Sequence, residues 1–126
     1  MIRIGNSTCL CRCVAFPIML TTATFAADEL RKLGDAEIRS KLSGMEITDE
    51  VHWAELYNRD GTFTMWAMGR KTTGKWAAKS GELCLHNGQS MPDCREIRLS
   101  GNKVEFHYPG GGVAIEGVLR KQRPRD

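Results

Sequence analysis

Apolar and polar residues alternate along most of this chain from Glu46 onwards. The period of two is clearest in three segments, whose apolar faces carry Phe63, Met65 and Ala67, then Leu83 and Leu85, then Val104, Phe106 and Tyr108. Such alternation is typical of strands that bury one face. We expect strands at about 46–57, 62–70, 73–79, 82–87, 94–100, 103–108 and 113–119.

Short turn sequences separate these segments at regular spacing. They are Arg59-Asp60-Gly61, Ser80-Gly81, Ser100-Gly101-Asn102 and the run from Pro109 to Gly112. Many short strands joined by such turns favour an antiparallel meander. The sequence therefore predicts a single, mainly β domain over residues 27–119, in which the meander closes into a small barrel or folds into a sandwich.

One short N-terminal α-helix is expected before the strands, at about 35–43. Ile38 and Leu42 fall on one face of it, and we expect Asp35 to cap its first turn. Gly44 supplies the left-handed residue that commonly ends a helix. Because a helix of this length is unstable alone, its apolar face must pack on another part of the chain.

Residues 1–26 have the layout of a secretory signal peptide. Arg3 and Arg12 give a basic start, an uncharged and mostly apolar stretch of 14 residues follows, and small residues stand at Thr24 and Ala26. A membrane span needs about 20 apolar residues. We therefore expect cleavage after Ala26 or the next residue, a periplasmic or secreted location, and no permanent membrane anchor.

Removing this segment changes the composition of the chain. The full sequence has 126 residues, 26% of them charged, and a net charge of +3. Without residues 1–26 it has 100 residues, and the loss of Arg3 and Arg12 lowers the charge to +1. This charge is too small to indicate nucleic-acid binding. The basic residues 120–126 are interpreted as a solvated tail, with contact to an anionic envelope surface as the alternative.

The cysteines also divide at this boundary. Cys9, Cys11 and Cys13 lie in the signal segment, and their spacing matches no common zinc pattern. Cys84 and Cys94 remain as an even pair, which an oxidising compartment would join in a disulfide. Each is out of phase with the apolar residues of its strand. The bridge should therefore lie on the outer face of a hairpin whose loop is at about 86–93.

Sequence patterns that carry catalysis or metal binding are missing from the chain. His52, His86 and His107 lack the i,i+2 or i,i+4 spacing with which metal ligands often converge, and no G-x-S-x-G motif occurs. We therefore expect no catalytic residue, no metal and no cofactor. A small metal-dependent enzyme is the third-ranked hypothesis.

Two further groups of residues have structural interpretations. The acidic cluster of Glu46, Asp49 and Glu50 is interpreted as the solvation of an early strand. Gly110 to Gly112 join two strands and do not open a helix, so they indicate a turn rather than a phosphate site.

The aromatic residues are the most suggestive group for function. Trp53, Trp66 and Trp76 fall in successive segments, and Trp66 and Met68 lie on the face opposite Phe63. The tryptophans either fill the core and bridge the helix to the sheet, or mark a ligand or partner surface at the outer face or barrel mouth. The candidate ligand or partner surface comprises Trp53, Trp66, Met68 and Trp76.

Five short motifs over residues 35–100 carry a resemblance to a known group. They are Asp35-Ala36-Glu37-Ile38-Arg39, Leu42-Ser43-Gly44, Asp60-Gly61-Thr62, Gly74-Lys75-Trp76 and Gly81-Glu82-Leu83-Cys84. In this order they resemble small exported alphaproteobacterial proteins of unknown function. Those proteins have a signal peptide, a short helix and a β-meander with one cysteine pair. The resemblance implies export and a small β fold, and it transfers no catalytic residues.

A second likeness, in size and compartment, is to bacterial inhibitors of secreted metalloproteases, which insert an N-terminal segment into the protease cleft. In this sequence the corresponding segment, 28–33, is charged and has a helical pattern. The leading hypothesis is a non-enzymatic periplasmic or secreted domain that binds an envelope protein or a small apolar ligand. The alternative is an inhibitor of a protease or lysozyme.

Overall fold

The computed structural model describes residue 5 and residues 13–22, 29–88 and 91–125. Much of the predicted signal peptide lies outside these ranges, including its cleavage position, Cys9 and Cys11. Residues 13–22 are exposed and form neither helix nor strand. In the described ranges, no helix has both the length and the apolar character needed to cross a bilayer.

The strands form a closed ring. The described residues form β1 (Arg31–Lys32), α1 (Asp35–Leu42), β2 (Met45–Thr48), β3 (Trp53–Tyr57), β4 (Thr62–Ala67), β5 (Arg70–Lys79), β6 (Glu82–His86), β7 (Asp93–Ser100), β8 (Lys103–His107) and β9 (Ile115–Lys121). From β2 onwards each strand pairs antiparallel with the next, and β9 pairs with β2. The predicted meander is therefore an eight-stranded barrel, to which β1 adds a short strand on β7.

The interior of the barrel is filled by the residues on the apolar phase of the strands. The buried core cluster contains Ile47, Tyr57, Phe63, Trp76, Leu83, Leu85, Ile97, Val104 and Phe106. Eight strands enclose a space that side chains just fill. Leu33, Ile38 and Leu42 join the same cluster from the segment before β2, and α1 packs on β2, β5 and β6. The helix thus closes the end of the barrel at which β2 begins.

The strand predicted at 46–57 is in fact two strands, β2 and β3, joined by a turn. Asp49 forms a turn there, because its Oδ1 accepts hydrogen bonds from the backbone N–H groups of Val51, His52 and Trp53 at 3.0, 2.7 and 2.9 Å. Its Oδ2 lies 2.8 Å from Nδ1 of His52. Lost hydration raises the pKa of Asp49, but these bonds together hold it well below its usual range. The interpretation of Asp49 as strand solvation was wrong.

A second turn was also missed. Met68 and Gly69 both have positive φ, 51° and 75°, and they connect β4 to β5, which begins at Arg70. The predicted strand at 62–70 therefore ends at Ala67. At the other end of the domain, β9 starts and finishes two residues later than predicted.

The N-terminal cap of α1 also differs from the prediction. Gly34 is the N-cap residue, and the start of the helix has no capping hydrogen bond from a side chain. Oδ1 of Asp35 instead accepts a 2.6 Å hydrogen bond from the backbone N–H of Gly81. This bond ties the helix to the turn between β5 and β6. Gly44, with φ of 78°, follows the C-cap residue Ser43 as expected.

The predicted disulfide is present. Cys84 and Cys94 face each other across β6 and β7 and are bonded. Their neighbours Leu83 and Leu85 point into the core, so the bridge lies on the outer face of the barrel. The loop of this hairpin runs between His86 and Asp93.

Replacing Gly74 by Ala should destabilise the barrel. A Cβ at this position would overlap the carbonyl oxygen of His86 and lie 2.7 Å from Cε1 of Phe63. Overpacking of this kind costs about 1–3 kcal/mol, and contact with backbone should place Gly74→Ala at the upper end. Urea unfolding measures the change. Gly34→Ala is the control, because a Cβ there meets nothing within 4 Å and the loss of a favourable N-cap residue should cost only about 1 kcal/mol. Equal losses in the two variants would contradict this explanation.

Removing the disulfide should also lower stability. A bridge between residues separated by 10 positions closes a short loop, which the chain-entropy model values at about 3 kcal/mol. The double variant Cys84→Ala/Cys94→Ala should lose about this much free energy of unfolding. An unchanged unfolding midpoint in the double variant would refute a structural role for the bridge.

Candidate functional site

The end of the barrel opposite α1 opens into a cavity of about 360 Å³, which we call the cup. Five strand ends surround it, from β3, β4, β7, β8 and β9. Its apolar wall consists of Trp53, Met65, Ala67, Met68, Phe106, Tyr108 and Ile115. Glu55, Arg95, Asp93 and His52 complete the lining. The cup is thus a mostly apolar cavity with a few polar groups.

A buried ion pair joins two of these polar residues across the barrel. Nη2 of Arg95 lies 3.0 Å from Oε1 of Glu55, and each side chain is only 4% exposed. The same Nη2 lies 3.3 Å from Oδ2 of Asp93, which is half exposed. The hydroxyl of Tyr57 donates to the other carboxylate oxygen of Glu55. The pair therefore forms a polar floor where the apolar core ends.

Aromatic rings cover the guanidinium group of Arg95. Its Cζ lies 4.4 Å from the ring centre of Phe106 and 5.6 Å from that of Tyr108. Both distances allow cation–π attraction. Burial by itself lowers the pKa of Arg95, but the negative charge of Glu55 and other neighbours raises it above its usual value. Arg95 is therefore a fixed positive charge.

Tyr57 and Tyr108 are held in their uncharged form. Burial, followed by the charge of Glu55, raises the pKa of Tyr57 well above 10. Burial also raises the pKa of Tyr108. Both phenols are therefore neutral at physiological pH, and Tyr57 acts as a hydrogen-bond donor.

One polar atom at the floor is unsatisfied. In the part of the chain that the structure describes, Nε of Arg95 is the buried side-chain nitrogen or oxygen without a hydrogen-bond partner. A buried donor left unpaired costs about 1–3 kcal/mol, and such atoms are uncommon in folded proteins. Arg95 lines the cup and also a smaller recess of about 100 Å³ beside it.

The structure brings two of the four predicted surface residues together. Trp53 forms part of the cup wall, with its ring centre 6.0 Å from that of Phe106. Met68 stands at the rim and is 94% exposed. Trp76 belongs to the core, where Nε1 donates to the carbonyl oxygen of Asn58 at 2.9 Å. It is therefore largely buried and does not line the cup.

Trp66, the fourth of these residues, lies on the outer face of the barrel under the C-terminal segment. The guanidinium Cζ of Arg125 lies 4.1 Å from its ring centre. Arg125 and Arg120 also bind the two oxygens of the buried carboxylate of Glu46, at 2.5 and 2.7 Å. Arg120 and Arg125 of the predicted solvated tail are thus bound to the outer wall of the barrel through ion pairs with Glu46.

Sequence reasoning missed Glu55 and Arg95. The alternation of inward and outward residues could have revealed them. Arg95 is on the inward face of its strand together with Ile97, and Glu55 is on the inward face of its strand together with Trp53 and Tyr57. Opposite charges on the apolar phases of two strands indicate a buried pair.

The histidines do not form a metal site in the described ranges. There, the one group of possible ligand atoms within reach of each other is Glu82, Cys84 and Cys94, and the two cysteines are bonded together. Nδ1 of His52 pairs with Asp49 at 2.8 Å, and Nε2 of His107 pairs with Glu105 at 2.9 Å.

Comparisons with protein families, curated proteins and solved structures gave no match for this chain. We therefore infer function from the geometry of the cup and from the chemistry of its lining.

Breaking the buried ion pair on one side should be costly. Arg95→Met leaves the Glu55 carboxylate buried with Tyr57, and we expect a loss of about 3–5 kcal/mol in the free energy of unfolding. Adding Glu55→Gln removes that charge and keeps an acceptor for Tyr57. The double variant should therefore recover at least about 1 kcal/mol.

Urea unfolding of the single and double variants measures this coupling. Arg98→Met is the matched control, because Arg98 lies in the same strand and pairs with Glu96 in a partly exposed position. It should cost under about 1 kcal/mol. Additive losses in the double variant would show that Glu55 and Arg95 are not coupled.

Proposed function

We propose that this protein is a non-enzymatic binding domain that holds a small, mostly apolar molecule in the cup. The main observation that supports this proposal is an open, apolar cavity at one end of a barrel whose other end is filled by α1. Its volume of about 360 Å³ falls within the range of about 300–1,000 Å³ that is usual for small-molecule sites.

The rim of the cup supports this proposal. Met68 is 94% exposed and Ile115 is 40% exposed, and both line the cavity. Exposed apolar side chains next to a preformed cavity are typical of ligand sites. A bound apolar molecule would cover part of this surface, which favours binding through the hydrophobic effect.

Two polar groups at the floor, Arg95 and Tyr57, are poorly suited to acid–base catalysis. Arg95 carries a permanent charge, Tyr57 is neutral, and both bond to Glu55. General acid–base catalysis works best with a group that titrates near the working pH. Neither Arg95 nor Tyr57 meets that condition.

We place this binding function in the periplasm or outside the cell. The signal-peptide pattern of residues 1–26 supports export, and so does a disulfide between Cys84 and Cys94. Small exported alphaproteobacterial proteins, which the sequence resembles, fit the same location.

The inhibitor alternative receives no support from residues 31–33. Arg31 and Lys32 pair with β7, and Leu33 is buried and donates its N–H to the carbonyl oxygen of Ile97 at 2.9 Å. This part of the expected helical segment is a strand and belongs to the barrel, so it does not project as an arm.

Binding can be tested with N-phenyl-1-naphthylamine, a neutral apolar dye whose fluorescence rises in apolar surroundings. We expect saturable binding at one site and a shift of the Trp53 indole N–H signal in NMR spectra. Ala67→Phe fills the cup and should weaken binding at least about tenfold. Ala77→Phe makes the same change at an exposed position of β5 and should leave binding unchanged.

Two outcomes would overturn the proposal. One is a titration that never saturates or leaves the Trp53 signal unmoved. The other is equal binding by the Ala67→Phe and Ala77→Phe variants when circular dichroism shows that both are folded.

A further inference from the structure

We infer that the ligand of the cup is electrically neutral and carries a hydrogen-bond acceptor, such as a carbonyl oxygen, that binds Nε–H of Arg95. This inference rests on the proposed function and narrows the chemical class of the ligand. It also gives the ligand an orientation, with its acceptor at the floor and its apolar part towards the rim.

The unpaired donor is the first observation behind this inference. The Arg95 side chain is 96% buried, since only 4% of it is exposed, and its Nη2 is occupied by Glu55 and Asp93. Nε has no partner among the described residues. Nε is also covered from solvent, so an acceptor that enters the cup must displace the side chain packed over it. Satisfying the donor then gives a larger gain because the site excludes water.

The charges around Arg95 argue for a neutral ligand. Its positive charge is already faced by two carboxylates, Glu55 at 3.0 Å and Asp93 at 3.3 Å. One positive and two negative charges sum to −1, which disfavours an anionic ligand, and a cationic ligand bound at Nε would lie against the guanidinium charge. Each would also lose its hydration, and a low dielectric strengthens these penalties. A neutral acceptor avoids both.

The wall defines the rest of the ligand. Trp53 and Phe106 stand in contact with each other, their rings tilted by 40°, and Tyr108 and Met65 continue the apolar surface. Aromatic and thioether side chains pack well on flat rings. The best fit is a small amphiphile with a ring or short chain and one neutral polar end.

Three naphthalenes of similar shape test this chemistry. They are 2-acetylnaphthalene, which carries a carbonyl oxygen; 2-isopropenylnaphthalene, in which a CH₂ group replaces that oxygen; and 2-naphthoate, which carries a charged carboxylate. Calorimetric titration at pH 7 gives the three affinities. We expect the acetyl compound to bind about tenfold more tightly than the isopropenyl compound, and naphthoate to bind more weakly than the acetyl compound.

The role of Arg95 is tested with Arg95→Lys. The variant keeps a positive charge beside Glu55 but lacks the Nε–H donor, so the acetyl preference should fall to about twofold or less. The readout is the ratio of the two affinities in the variant, whatever the affinity of each compound alone. Arg98→Lys makes the same change on the outer face of the same strand and should keep the full preference.

A measurement on the wild-type protein covers the case in which Arg95→Lys does not fold. With 15N-labelled arginine, the Nε–H resonance of Arg95 should shift when 2-acetylnaphthalene is added. It should move much less with 2-isopropenylnaphthalene, which has no acceptor.

The possible failures are distinguishable. If none of the three compounds binds or shifts the Trp53 signal, the proposed function fails. If they bind in the cup but the isopropenyl compound or naphthoate matches the acetyl compound, only the acceptor inference is overturned. Retention of the acetyl preference in folded Arg95→Lys, or an Arg95 Nε–H signal that the acetyl compound leaves unmoved, would also overturn it.

Discussion

Closure of eight strands into a ring is the constraint on which the rest of this structure depends. When β9 pairs with β2, the interior becomes a narrow space that one set of alternate side chains must fill. At one end, Ile38 and Leu42 of α1 complete that filling. At the other end, Glu55 and Arg95 end the apolar core, and the walls continue beyond them as the cup.

Ending the apolar core with a buried ion pair is unfavourable in free energy of desolvation. Removing two charges from water costs several kcal/mol per ion, and apolar residues of similar size often serve stability equally well. As a polar floor, the pair places a guanidinium group below the apolar wall of the cup, and the carboxylates of Glu55 and Asp93 balance its charge. Under the proposed function, Arg95 would contribute both to the fold and to ligand binding.

The sequence predicted the features that depend on local pattern. The phases of Leu83 and Leu85 placed the disulfide on the outer face, and spaced turns indicated the meander. The turns at Asp49 and at Met68 were hidden, since each lies in a run that otherwise resembles one continuous strand. The choice of a barrel over a sandwich, and the meeting of Glu55 with Arg95 from 40 positions away, depend on long-range register that local patterns do not encode.

The three tryptophans occupy three separate environments. Trp53 borders the cup, Trp66 stacks with Arg125 on the outer wall, and Trp76 lies in the core near the helical end. The intrinsic fluorescence of this protein is therefore a sum of three local reporters. Phenylalanine substitutions that leave one tryptophan at a time would resolve occupancy of the cup, release of the C-terminal segment and loss of the core into separate optical signals.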